Sequence, residues 1–174
     1  MSEFGDEYSE ALGSELRKLE EALLGDQVKL LAPSEPIRLS PTTTVEAAVA
    51  KMVDDRRAAV VVIDDGGRLI GIFTERDVLT RVVRKGRDAH RTLLSEVMTP
   101  EPESLAPQDR ICHAINRMHM AGHRSIPLLD TDDRPVGIIT VTDIVKWLAE
   151  LFPEAVLNLR PGDKLKHPHQ MDSG

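Results

Sequence analysis

Gly71-Ile72-Phe73-Thr74-Glu75-Arg76-Asp77 and Gly137-Ile138-Ile139-Thr140-Val141-Thr142-Asp143 read alike: an apolar strand end, a hydroxyl residue, and an aspartate three places on at the mouth of a helix. The two stretches stand 66 positions apart, and the offset extends well beyond them. Pro36 falls on Pro102, Leu39 on Leu105, Pro41 on Pro107, Ala48 on Ala114, Met52 on Met118, Asp64 on Asp130 and Arg68 on Arg134, with no insertion or deletion between. A period this regular means one supersecondary unit written twice.

Each copy has the same internal order. A short extended piece (Ile37-Arg38-Leu39, then Glu103-Ser104-Leu105) leads through a proline turn into a helix. That helix carries Val45, Val49, Met52 and Val53 in the first copy and Ile111, Ile115 and Met118 in the second, at helical spacing. A buried strand follows, Ala58 to Ile63 or Ser125 to Leu129. The acidic turns Asp64-Asp65-Gly66-Gly67 and Asp130-Thr131-Asp132-Asp133 then lead to a second strand. The last helix begins at Thr-x-x-Asp and in the second copy carries Ile144, Val145, Leu148 and Leu151, with Pro153 as its stop. The expected class is α/β (α+β), a tandem β-α-β-β-α repeat. A unit of roughly 50 residues buries too little surface to stand alone, so the two copies are expected to share a core about a pseudo-two-fold axis.

The flanks read differently. Leu12, Leu16, Leu19 and Leu23 recur at spacings of 4, 3 and 4 ahead of Gly25, an amphipathic helix too short to stand alone in water. Its leucine face fits the chain's own core or a partner subunit equally well. The expected organisation is an N-terminal helix over 1–27, repeat one over 28–84, a linker over 85–96, repeat two over 97–152 and a mobile tail over 153–174.

Bulk properties narrow the function. Across 174 residues the apolar fraction is 41 % and the charged fraction 29 %, the balance of a soluble globular chain. Aromatics make up only 3 %, so the core must be aliphatic. The single cysteine, Cys112, excludes an internal disulfide. The net charge of −7 argues against a nucleic-acid partner, which demands a basic surface. No run approaches the roughly 20 apolar residues of a membrane span, and the acidic start lacks an export signal, so a cytoplasmic location is expected. The acids concentrate in residues 1–24, which leaves the remainder close to neutral and open to a small anionic ligand.

The order of elements, with Gly-apolar-apolar-Thr-x-x-Asp in each copy and Val97-Met98-Thr99-Pro100 opening the second, resembles the CBS domain, the cystathionine-β-synthase-type regulatory repeat. Two in tandem are similar to a Bateman module, and the resemblance covers residues 30–152. It implies an adenosine-containing ligand (AMP, ADP or ATP, in some members S-adenosylmethionine or NAD) in the clefts between repeats, held as a regulatory ligand with no required cofactor. It also implies a homodimer and a protein partner that receives the signal. The family's aspartate offers paired acceptors to a ribose diol at a helix N-terminus that favours phosphate. Carried onto this chain, those residues are Asp77 and Asp143, with the hydroxyls of Thr74 and Thr140.

By the same resemblance each cleft mixes halves. One combines Thr140, Asp143 and Arg124 with Thr43 and Ala48. The other combines Thr74, Asp77 and Arg57 with Asp109 and Ala114. Arg124 corresponds to Ala58 and Thr43 to Asp109, so the Asp143 cleft is expected to be the tighter for a phosphate-bearing ligand. Thr-x-x-Asp is also close to a capping box, which would serve the helix and bind nothing.

Other constellations are weaker. His119 and His123 have a chelating spacing, but Gly122 between them ends the helix and no third ligand is evident, so no metal is expected. No nucleophile elbow, phosphate loop, HExxH or CxxC is present, and no catalytic residue is assigned. The expectation is a nucleotide-sensing regulatory module and not an enzyme. A ligand-free dimerisation module and a small nucleotide-acting enzyme are the alternatives.

Overall fold

The computed structural model describes residues 3–151. The side chain of Leu12, and the tail with Phe152, His167 and His169, lie outside the described residues. After helix α1 (Glu3–Gly25) and a 3-10 turn at Val28–Leu31 comes the first unit: β1 (Arg38–Leu39), α2 (Val45–Asp54), β2 (Ala59–Ile63), β3 (Leu69–Thr74) and α3 (Glu75–Asp77). The last continues as a π-helical turn over Val78–Val83. The short helix α4 (Leu94–Val97) and strand β4 (Thr99–Pro100) lead to α5 (Ile111–Ala121), β5 (Ser125–Leu129), β6 (Pro135–Thr140) and α6 (Val141–Leu151).

The two hairpins are copies in register as well as in sequence. Ala59 pairs with Thr74 and Val61 with Ile72; Ser125 pairs with Thr140 and Pro127 with Ile138. Both carry an irregularity at the same place, after Val62 and after Leu128. Each turn is built by an aspartate: Asp64 Oδ1 accepts from the Gly66 and Arg68 amides, and Asp130 Oδ1 from those of Asp132 and Arg134, all at 2.9 Å. Such side-chain acceptors replace missing ladder bonds in a tight turn. β1 runs parallel to β2 through Leu39 and Val62, and the matching pair in the second unit is a single parallel bridge between Leu105 and Leu128.

Neither repeat closes its own core. Residues 26–31 precede the first unit yet pack into the second: Val28 and Leu31 are buried with Leu105, Ile111, Ile126, Ile139 and Trp147. Residues 92–97, their counterparts 66 positions on, seal the first unit with Leu94 and Val97 against Val45, Val60 and Phe73. The backbone bonds repeat too. Val28 N–H donates to Asp109 O at 2.8 Å and Ile111 N–H to Asp26 O at 3.0 Å; Leu94 N–H donates to Thr43 O and Val45 N–H to Thr92 O, both at 2.9 Å.

The next residues cross between the halves. β4 adds to the free edge of β3, pairing Thr99 with Ile72, while Ser34 pairs with Ile138 on β6. The motif glycines admit these crossings. An added Cβ at Gly71 would stand 2.3 Å from Met98 Sδ, and one at Gly137 would stand 3.0 Å from Pro33 Cβ. Ala59, Ile72 and Ile138 form a small apolar contact between the units. The leucine face of α1 settles on its own subunit: Leu19, Ala22 and Leu23 pack against the second core, while Leu16 stays exposed. Among the described residues no helix is long and apolar enough to cross a membrane.

Candidate functional site

Thr74 ends β3 in extended backbone and caps the following turn. Its N–H and Oγ1–H both donate to Asp77 Oδ2, at 2.9 and 2.7 Å, and the Asp77 amide returns a longer bond of 3.4 Å to Thr74 Oγ1. Thr140 and Asp143 repeat the arrangement at 2.8, 2.8 and 3.3 Å. Both motifs are therefore capping boxes, and in each the cap engages a single carboxylate oxygen.

The second oxygen separates them. Asp77 Oδ1 meets Arg81 Nε at 3.2 Å, and Asp77 is 7 % exposed. At the position of Arg81 the second repeat has Trp147, whose indole N–H donates instead to Asp26 Oδ2 at 3.2 Å. Asp143 is half-buried, and its Oδ1 has no protein partner among the described residues. A sugar hydroxyl could approach that oxygen directly, whereas at Asp77 it meets a guanidinium.

A cleft of about 680 Å³ opens beside Asp77. One wall is Thr74 to Asp77 with Leu79, Thr80 and Arg81; the other comes from Thr99, Glu101 to Glu103 and Ala121 to Ser125. The left-handed backbone of Gly122, φ 67°, ends α5 and turns His123 and Arg124 into this wall. The charged lining is Arg76, Arg81 and Arg124 against Glu75, Asp77, Glu101 and Glu103.

The structure redistributes the residues expected from sequence. Arg124, grouped with Thr140 and Asp143, lines the Asp77 cleft; its carbonyl accepts from the Val141 amide at 3.1 Å, so it stands between the two motifs. Arg57 lines a neighbouring apolar groove of about 620 Å³ with Val49, Met52 and Leu79; Ala58 and Glu75 line both this groove and the cleft. Ala48 and Ala114 are 0 % exposed, inside the two cores behind α2 and α5, where a methyl-sized residue lets helix and sheet approach. They line neither the cleft beside Asp77 nor the groove beside α2. Thr43 and Asp109 stand in the turns entering α2 and α5, where their carbonyls hold the exchanged segments. Asp109 Oδ2 also accepts from Ala106 N–H at 2.8 Å. Sequence reasoning missed Arg81. The signal was an acid and an arginine four apart on one helix, which the repeat comparison hid because Trp147 is its counterpart. Among the described residues no group of three His, Cys, Asp or Glu is placed to hold a metal ion.

Two βαββα units that exchange their leading segments around a shared cleft define a tandem-repeat module. The family model of the CBS domain matches residues 29–84 and 94–150, and the chain belongs to that family. A CBS domain-containing protein of Arabidopsis thaliana, CBSCBSPB3, is 32 % identical over 118 residues, covering 68 % of this chain and 20 % of its own. The chain spans about a fifth of the length of the curated relatives it matches first. The CBS domain pair of protein MJ0100, solved with 5'-methylthioadenosine and S-adenosyl-L-methionine, superposes with a TM-score of 0.65 at 21 % identity over 71 % of this chain and 99 % of that one. CBSX2, solved with AMP, gives 0.62 at 21 % identity, covering 73 % and 98 %.

Proposed function

We propose that this chain is a regulatory module that holds an adenosine-containing ligand of the AMP, ADP or ATP class between its repeats and reports occupancy to a protein partner. The observation that carries the reading is the cleft of about 680 Å³ formed by both repeats, with a Thr-x-x-Asp carboxylate on one wall and Arg124 on the other. Its size suits a nucleotide. Its three guanidinium groups face four carboxylates, which gives no surplus positive charge for a triphosphate and favours AMP or ADP. The complexes of MJ0100 with two adenosyl compounds and of CBSX2 with AMP lend the same ligand class. At Asp143, which does not line this cleft, the free Oδ1 offers a ribose a second acceptor.

The partner surface is the helical side of repeat one. Val53, Leu79 and Val83 are each more than 60 % exposed around the groove beside α2, an apolar face that a second copy of the chain would cover. The reading is of a binding role, supported by the CBS family match over both repeats.

One observation favours a ligand-free scaffold instead. Both capping boxes are complete, and each aspartate already has a structural use. Calorimetry with adenosine, AMP, ADP and ATP separates the two. A sensor binds at least one of them and loses about 1.5–3 kcal/mol of affinity in Asp143→Ala or Asp77→Ala, the worth of hydrogen bonds to a charged group. A scaffold binds none.

A further inference from the structure

Arg81 closes the cleft from within. While its Nε engages Asp77 Oδ1, its terminal nitrogen donates to the carbonyls of Val97, at 3.0 Å, and Met98. One side chain thus ties the cleft carboxylate to the stretch between α4 and β4. That stretch matters on both sides. Upstream, Leu94 and Val97 seal the first core; downstream, Thr99, Glu101 and Glu103 line the cleft. The Met98 side chain also fills the space over Gly71, on the strand that leads to Thr74. The second repeat has no such tie, because Trp147 bonds to Asp26.

We propose that Arg81 is an anion-released latch: a phosphate entering the Asp77 cleft draws the guanidinium away from the Val97 and Met98 carbonyls, freeing the carboxylate for a sugar and loosening the stretch between the repeats. This rests on the adenosine-ligand reading above and adds which ligands switch the module. A guanidinium meets phosphate through two parallel, doubly charge-assisted bonds, stronger than its bonds to neutral carbonyls. Arg81 is half-exposed and can turn without opening a core. A neutral nucleoside brings only hydroxyls and must compete with Arg81 for Oδ1. Anionic and neutral members of one ligand class therefore differ in effect, because a ligand shifts an equilibrium only by its differential affinity for the two states.

The test is hydrogen exchange at the amides of residues 97–99 of the full chain, in wild type, Arg81→Met and Arg81→Lys, free and with AMP or adenosine as probes, alongside calorimetry. Free Arg81→Met should exchange there about tenfold faster than wild type, the loss of a charge-assisted bond. Wild type with AMP should show the same acceleration, and with adenosine none. Arg81→Met should bind AMP about tenfold more weakly while adenosine affinity holds or rises. Arg81→Lys keeps the charge without the fork, so its exchange should fall between the others. It carries the same comparison where Arg81→Met fails to fold. Free Arg81→Met or Arg81→Lys exchanging like wild type overturns the latch. AMP binding without faster exchange at 97–99 overturns the coupling and leaves the adenosine-ligand reading standing. Binding of neither probe overturns both.

Discussion

Deleting residues 1–31 removes α1 and the segment that closes repeat two; deleting only 1–25 leaves that segment in place. The difference between the two truncations isolates the exchanged segment. Val28 is 0 % and Leu31 5 % exposed, and full burial of such side chains contributes about 1.5–3 kcal/mol each. Loss of the Val28–Asp109 and Asp26–Ile111 backbone bonds adds about 0.5–1.5 kcal/mol apiece. The step from the shorter to the longer deletion should therefore cost about 4–9 kcal/mol, comparable to the whole stability of an ordinary domain. Among the described residues, the shorter deletion takes from that core the partly buried Leu19, Ala22 and Leu23, and it should cost far less. Urea unfolding followed by fluorescence reads this at the right place, since Trp147 is the only tryptophan and sits in that core. Val28→Ala should lower the midpoint in the same direction without removing chain. Equal midpoints for the two truncations would refute the reasoning, because residues 26–31 would then not belong to the fold of repeat two.

Asp143→Ala should lose the cap as well as the ligand acceptor, lowering stability by about 1 kcal/mol in a thermal melt without any ligand present. Gly71→Ala forces Met98 aside and should destabilise by about 1–3 kcal/mol; combining it with Met98→Ala should cost less than the sum of the two single changes in the same melts. The carboxyl of Asp130 is held below its usual range, foremost by the Arg134 amide; desolvation opposes this, and the Asp132 amide and the Arg134 charge add to the lowering. A lowered folded value gives stability that is present above the unfolded pKa of about 3.9 and is lost as pH falls through the folded one. The gap between wild type and Asp130→Asn in urea titrations should therefore hold at neutral pH and close below about pH 4.

The gap-free period made the element order, the two strand–turn–strand units and the paired Thr-x-x-Asp turns legible, because these depend on local patterning. The exchange of leading segments was not legible. Val28-Lys29-Leu30-Leu31 and Leu94-Ser95-Glu96-Val97 share apolar character only at their first and fourth places, and no local pattern says which core receives them. The last helix of repeat one was expected as ordinary helix; instead Arg84 N–H bonds five residues back to Leu79 O. Arg124 shows the limit for sites. Its position in the chain is clear, but the cleft it lines depends on how two units pack, which is a tertiary fact. The motif aspartates, expected to hold a ribose with capping as the alternative, do form the caps, while their difference in free oxygen came from a position where the copies diverge, Arg81 against Trp147.

The exchanged segments also give the chain an order of maturation during synthesis. Repeat one is complete once residues 92–100 have left the ribosome, since its core, with Met98 packed against it and β4 on its sheet edge, then lies upstream. Repeat two must wait for its last helix, and until then Val28 and Leu31 at the other end of the chain have no core to enter. At roughly 5–20 residues per second that interval is on the order of ten seconds. For that time the nascent protein displays a short apolar handle just ahead of a finished half. A chaperone that recognises short apolar segments would find it there, and slowing translation after residue 100 would lengthen its exposure.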